Sequence, residues 1–159
     1  VKLDLDNQTY GRSSLELEGC LTPELGEMYP DPVKITGSLD VQDLDSRLNL
    51  LGKLQASGTT ACGRCLVDFE CTWEVPVELV ILRQADEVDP EDVGVVIVQR
   101  HGVVDLTPAI QELAVLAYPQ SPTCRDSCRG LCVSCGADLN QKECGCTRKE
   151  IDPRWQGLP

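Results

Sequence analysis

Ten cysteines in a chain of 159 residues constrain this sequence more than any other feature. Six lie in one run, C-R-D-S-C-R-G-L-C-V-S-C-G-A-D-L-N-Q-K-E-C-G-C, from Cys124 to Cys146. Two more form Cys62-x-x-Cys65, far upstream in A-C-G-R-C-L. Thiolates are soft ligands that hold metals such as zinc at tetrahedral sites, and a close pair lets one turn present two of them. The rival use of the same thiols is a disulfide framework, which belongs to oxidising compartments. The start, V-K-L-D-L-D, shows neither a basic region nor an apolar stretch of the secretory kind. Reduced, metal-bound thiols in a cytoplasm are therefore the expectation.

The balance of residues supports a globular domain, with 42% hydrophobic and 25% charged side chains. No stretch approaches the roughly 20 apolar residues of a membrane-spanning helix, so no membrane partner is expected. The net charge of −12 is unevenly spread. Residues 1–118 hold 8 Lys/Arg against 21 Asp/Glu, a balance of −13, whereas residues 119–159 hold 6 against 5, a balance of +1. Such a body repels a nucleic-acid backbone and attracts basic proteins; only the tail approaches phosphate easily. The acidic residues also serve plain solubility.

Hydrophobic periodicity predicts mostly strands. Val1 to Leu5 reads as a short strand, whereas Tyr10 to Pro32 carries a weak pattern interrupted by glycines and prolines. Cys20 in that stretch is expected to be a packed thiol. Val33, Ile35, Leu39 and Val41 share one face of a further strand. The segment from Leu48 to Leu54 loses phase at Leu50-Leu51, which suggests a bulge or a turn at Gly52. The longest alternation is Val67, Phe69, Cys71, Trp73, Val75, Val77, Leu79 and Ile81. It predicts one strand, or two joined at a bend, with a buried and a largely wet face. Pro76 marks an edge, a bulge or that bend, and Cys71 belongs to the core. Asp86 to Asp92 is an acidic loop, and a short strand follows at Val95 to Val98. Thr107 and Pro108 read as the cap and first position of a helix spanning 107–118, with Ile110, Leu113, Ala114 and Ala117 on one face. His101, the one histidine, sits in a solvated turn.

Cys132-x-x-Cys135 and Cys144-x-Cys146 enclose eight residues and form a self-contained four-cysteine knuckle. Cys62 and Cys65 pair with Cys124 and Cys128 across some 58 residues, stapling the sheet to the tail; alternatively Cys124 and Cys128 join Cys132 and Cys135. A redox reading of C-G-R-C competes, but that chemistry needs the first Cys at a helix N-terminus, and here the motif runs into a strand. No other catalytic constellation is present, and the expectation is a protein that is not an enzyme.

The chain resembles the YceD family, also known as domain of unknown function 177. The matching residues are C-G-R-C-L-V-D-F (62–69), V-D-L-T-P-A-I-Q-E-L (104–113), C-R-D-S-C-R-G-L-C-V-S-C-G-A-D-L-N (124–140), C-G-C (144–146) and I-D-P-R-W (151–155). They cover the chain from about residue 33 to its end. The resemblance implies a role in accumulation of the large ribosomal subunit RNA in bacteria and plastids, beside a gene for a small basic protein of that subunit. Shorter relatives that lack the later knuckle suggest, by analogy, dividing the cysteines into 62/65/124/128 and 132/135/144/146.

The fold expected is α+β: a mainly antiparallel β-sheet, open to curling towards a barrel, with one well-marked helix and a cysteine-rich zinc tail. The acidic body is residues 1–118 and the tail packed on it is 119–159. Two zinc ions per chain are expected. Partners expected are a basic ribosomal protein held by the body, or a pre-ribosomal large-subunit particle. Arg125, Arg129, Lys142, Arg148, Lys149, Arg154 and Trp155 are the tail residues available for RNA or a second partner. A dithiol oxidoreductase and a zinc-handling protein are the alternatives.

Overall fold

A computed structural model describes residues 1–8, 10–22, 29–30, 32–44, 46–84 and 95–146. Among the described residues, seven strands and one helix follow one another as β1 (Lys2–Asp4), β2 (Gly11–Leu21), β3 (Val33–Asp43), β4 (Arg47–Ala61), β5 (Asp68–Leu82), β6 (Val95–Val98), β7 (Val103–Asp105) and α1 (Thr107–Leu116). Strands β2 to β6 lie side by side in chain order as one sheet, while β1 and β7 pair separately as a two-stranded ribbon. The large sheet is open: β2 and β6 are its two edges, so the sheet does not close into a barrel. All pairings are antiparallel except β5 with β6, which is parallel.

One face of the sheet carries the core. Leu17, Ile35, Leu39, Leu50, Leu54, Trp73, Val75 and Leu79 point to it, and the ribbon residues Leu3 and Val104 join them, with Ile110 and Ala114 of α1. The outward residues of the same strands are Glu16, Glu18, Asp40, Glu70, Glu74 and Glu78, all exposed. This is the division that period-2 alternation dictates.

Three expectations need correction. The weakly patterned stretch after Tyr10 is in fact the 11-residue strand β2. Leu15, Leu17 and Leu21 keep its inward phase, and Cys20, on the outward phase, is exposed rather than packed. The glycines had masked an alternation that was present. The second correction concerns Gly52, where β4 neither bulges nor turns: Leu51 pairs with Asp40, Gly52 with Leu39, and Leu54 with Gly37 in unbroken register. The inward row runs Leu48, Leu50, Gly52, Leu54, Ala56, and Leu51 is an outward side chain. Gly52 is inward because Leu39 fills its place; a Cβ there would meet Leu39 Cδ2 and the Ser38 carbonyl, each at 3.0 Å. Gly37 and Leu54 repeat the arrangement in reverse, again at 3.0 Å. Two leucines thus each cover the glycine opposite, which keeps the sheet face level. The third concerns the helix cap. Leu106, not Thr107, is the cap residue, and it offers no side-chain bond. Asp105 substitutes, accepting the Thr107 N–H at 2.9 Å, since a carboxylate readily bonds the backbone two residues on.

From Asp68 on, the long alternation forms one continuous strand, with Phe69, Cys71 and Trp73 on the core side, whereas Val67, expected on that face, precedes the strand and is exposed. Pro76 sits where an edge residue belongs, because β6 pairs with β5 only from Leu79 to Leu82. In that doubly paired end Val80 and Leu82 are buried as well, so the wet face stops there. His101 is exposed beside Asp6, with Nδ1 and Oδ1 3.4 Å apart. The expected loop Asp86–Asp92 lies outside the described residues.

The strand β5 holds the helix through Trp73. Its indole N–H donates to the Ala114 carbonyl at 3.1 Å. The ring meets Tyr118 edge-on at 5.1 Å and Tyr29 at 6.2 Å, arrangements that aromatic quadrupoles favour. The Tyr118 hydroxyl donates to Thr60 Oγ1 at 2.9 Å. These contacts fix where α1 ends and the cysteine-rich stretch begins, just beyond the turn between β4 and β5.

Candidate metal centres

The β4–β5 turn is itself a knuckle. The Leu66 N–H bonds the Cys62 carbonyl at 2.9 Å, and the Cys62 N–H bonds the Val67 carbonyl at 2.9 Å. The same pair of bonds recurs downstream: Gly136 N–H to the Cys132 carbonyl at 2.8 Å, and Cys132 N–H to the Ala137 carbonyl at 2.8 Å. Each turn points both of its cysteines to one side. The residue after the second cysteine is left-handed in both, with φ 60° at Leu66 and 71° at Gly136. Glycine takes that conformation freely, whereas an L-residue loses about 1–2 kcal/mol. Leu66 is 66% exposed and has little packing to lose. Leu66→Gly is therefore expected to stabilise the metal-loaded protein by up to about 1 kcal/mol, after allowing for glycine's larger unfolded-state entropy. Chemical denaturation checks this, and a destabilisation would mean that the leucine side chain packs.

The upstream knuckle meets the chain that follows α1. The Gly63 N–H donates to the Pro122 carbonyl at 2.8 Å, and the Leu131 N–H to the Arg64 carbonyl at 3.0 Å. Arg64 Nη1 donates to the carbonyls of Cys128, at 3.0 Å, and Asp126, at 3.3 Å. These bonds bring Cys124 and Cys128 over Cys62 and Cys65. The sulfur atoms of Cys62 and Cys128 lie 3.9 Å apart, and those of Cys65 and Cys124 3.8 Å apart. All four sulfurs lie within 4.8 Å of one another, and so do those of Cys132, Cys135, Cys144 and Cys146. Each group can hold one metal ion. None of the ten cysteines forms a disulfide, and Cys20 and Cys71 belong to neither group.

The two groups differ in their surroundings. In the inner one, Cys62, Cys65 and Cys128 are buried and Cys124 is half-buried; in the outer one Cys135 and Cys146 are exposed. N–H groups point at sulfur in the inner group, from Cys124 to Cys62 at 3.4 Å and from Arg64 to Cys62 at 3.5 Å. Burial pushes the Cys62 thiol up, but the N–H groups of Cys124, Arg64 and Cys65 outweigh it and bring it down to about 6. Burial and the neighbouring thiols of Cys62 and Cys65 push Cys124 up to about 12. The outer group repeats the split. N–H groups of Ser134 and Cys135 bring Cys132 down to about 6, while the Cys135 thiol, aided by burial, pushes Cys146 up to about 12. Four thiols this close cannot all ionise unless a cation shares their charge. That donor set suits a metal dication.

Arg64 and Asn140 are the residues that sequence reasoning missed. Asn140 lies in the eight-residue stretch between the outer cysteine pairs and is no thiol ligand, yet its side chain donates to Cys128 Sγ at 3.5 Å. Among the expected partner-binding residues, Arg125, Arg129 and Lys142 are exposed on the tail. Arg129 already faces the Glu143 carboxylate at 3.3 Å. Arg148, Lys149, Arg154 and Trp155 lie outside the described residues. No described helix is long and apolar enough to cross a membrane.

Comparison with known proteins places this arrangement. An uncharacterised protein of Mycobacterium tuberculosis is 34% identical over 124 residues, which cover 76% of this chain and 58% of that protein. An uncharacterised protein of Mycobacterium leprae is 30% identical over 124 residues, covering 76% and 55%. This chain thus spans somewhat over half the length of these relatives. A protein of Arabidopsis thaliana named large ribosomal RNA subunit accumulation protein YCED homolog 1, chloroplastic, is 34% identical over 55 residues, 35% of this chain and 17% of that one. No solved structure matches the chain. The model of the family described as large ribosomal RNA subunit accumulation protein YceD matches residues 50–159, which take in most of β4, all of β5 and α1, and all eight clustered cysteines, and the chain belongs to that family.

Proposed function

We propose that this chain is a non-enzymatic, zinc-bound assembly factor that supports accumulation of the large-subunit ribosomal RNA in the cytoplasm. The observation that carries the reading is the family match over residues 50–159. The geometry supports zinc as the metal. Thiolate sulfur binds zinc at about 2.3 Å in a tetrahedron, which puts the sulfurs about 3.8 Å apart. In the inner group the Cys62–Cys128 and Cys65–Cys124 sulfurs are 3.9 and 3.8 Å apart, and all four lie within 4.8 Å of one another. Four thiols per group fill such a tetrahedron and leave no open position for a substrate or an activated water. A structural role follows from that.

The charge pattern suggests what the body binds. Glu16, Glu18, Asp40, Glu70, Glu74 and Glu78 stand exposed on the outer sheet face. A zinc ion with four thiolates carries a formal charge of −2, so two centres take the chain from −12 to about −16. A particle of that charge repels bare RNA and attracts a basic ribosomal protein, the more so at low salt. The tail residues Arg125, Arg129 and Lys142 supply the contact with a pre-ribosomal particle. The dithiol oxidoreductase reading loses support because Cys62 and Cys65 share their cluster with Cys124 and Cys128 and open no helix.

Elemental analysis under reducing purification is expected to give two zinc ions per chain. Pull-down from a lysate, with and without RNase, is expected to retain a basic large-subunit protein in both arms, with retention falling as salt rises. Tight, salt-sensitive binding of the isolated holo-protein to bare large-subunit RNA would overturn the division of labour and make the tail an RNA-binding module.

A further inference from the structure

The loop that closes the outer centre also reaches the inner one. Asn140 lies between Cys135 and Cys144, yet its amide nitrogen donates to Cys128 Sγ at 3.5 Å, a sulfur of the inner group. Its amide oxygen accepts the Arg129 N–H at 2.9 Å, one residue beyond that same cysteine. Asp138 holds the side chain in place. Its Oδ1 accepts from the Asn140 backbone at 2.9 Å and from the Asn140 amide nitrogen at 2.8 Å, while Oδ2 accepts from Gln141 at 3.0 Å. The backbone adds a bridge between Leu131 and Asp138 and a bond from the Leu139 N–H to the Gly130 carbonyl at 2.9 Å.

We propose that Asn140 is a positioning residue that couples the two metal centres: metal in the outer group fixes the loop 136–143, and Asn140 then orients and polarises Cys128 for metal in the inner group. Three physical links support this. Cys135 and Cys144 bracket the loop, so a metal joining them shortens its accessible conformations before Asn140 has to be ordered. A hydrogen bond to a thiolate stabilises the charged ligand form. Residues that orient metal ligands from outside the ligand shell typically change affinity by 10–100-fold when removed. Linkage makes the effect reciprocal, so metal in the inner group strengthens the outer by the same factor. The inner centre, buried and joining body to tail, thereby holds its metal more tightly once the knuckle is finished.

The inference rests on the metal-binding reading above, and the test separates the two. Cobalt(II) is titrated into the reduced apo-protein against a chromophoric chelator, for wild type, Asn140→Ala, Asn140→Asp, the outer-site pair Cys135→Ser with Cys146→Ser, and that pair combined with Asn140→Ala. Wild type failing to bind cobalt at Cys62, Cys65, Cys124 and Cys128 would overturn the metal reading itself. With binding present, Asn140→Ala is expected to weaken the inner centre by about 10-fold or more. The outer-site pair is expected to match it, and the combination to add no further loss. Asn140→Asp keeps the shape and the acceptor for Arg129 but removes the donor and sets a second carboxylate against Asp138, so it is expected to weaken binding more than Asn140→Ala does. Loss of the donor also raises the energy of the sulfur lone pairs, which moves the inner centre's sulfur-to-cobalt absorption to longer wavelength. Inner affinity unchanged in both Asn140 variants, an unmoved absorption band, or losses that multiply in the combined variant would each overturn the coupling.

Discussion

Replacing Trp73 with alanine is expected to destabilise the domain by about 3–5 kcal/mol, the range for truncating a large core aromatic. Trp73 is only 7% exposed. Truncation opens a cavity between β5 and α1, strips the edge-on contacts with Tyr118 and Tyr29, and leaves the Ala114 carbonyl without its indole donor. Glu74, the next residue, provides the control on the opposite face. Its carboxylate lies 2.8 Å from Lys53 Nζ, but both side chains are at least half exposed, and such pairs contribute little. Glu74→Ala is expected to change stability by less than about 0.5 kcal/mol. Denaturant unfolding of both variants decides the matter; equal losses would mean that the face assignment of β5 is wrong.

Breaking the inner centre is expected to have the second large effect. Cys65→Ser leaves three thiols where four are needed, so metal content should fall from two ions per chain to one. The consequence reaches beyond the missing ion, because two ligands come from the β4–β5 turn and two from the chain after α1. Binding energy at such a site is folding energy. Without it, the bonds from Gly63 to Pro122 and from Leu131 to Arg64 are too few to hold the tail on the body. Limited proteolysis should then cut between Pro119 and Cys146 while strands β3 to β5 survive. Cys135→Ser in the outer centre should cost one ion as well, yet leave the junction at Gly63 and Pro122 closed. A tail equally resistant in the Cys65→Ser protein would show that hydrogen bonds alone secure it.

Local pattern by itself determined a good deal here. The inward rows of β3 and β5 were legible because a strand places successive side chains on opposite faces, and Val33 to Val41 and Phe69 to Ile81 keep that alternation. The knuckle at Cys132 to Cys146 was legible for a similar reason, since its ligands are close in sequence and one turn sets their geometry. Where the pattern misled, a neighbour had decided the matter. Gly52 looked like a break because its inward place is filled by Leu39 of the adjacent strand. Residue order does not record cross-strand filling.

Tertiary structure alone decided the rest. That β6 joins β5 in parallel, and that the sheet stays open with β2 and β6 at its edges, depends on how strands dock and not on their own periodicity. The grouping of Cys62 and Cys65 with Cys124 and Cys128 had a competitor in the sequence, because spacing limits which thiols can meet without choosing among them. The choice comes from Trp73 and Tyr118, which fix the end of α1, and from Arg64 and Gly63, which bind the chain beyond it. Asn140 is the plainest case: its neighbours in sequence mark a turn, and only folding brings its amide to a sulfur of the other centre. A hydrogen bond across the fold is set by three-dimensional distance, which one-dimensional spacing does not contain.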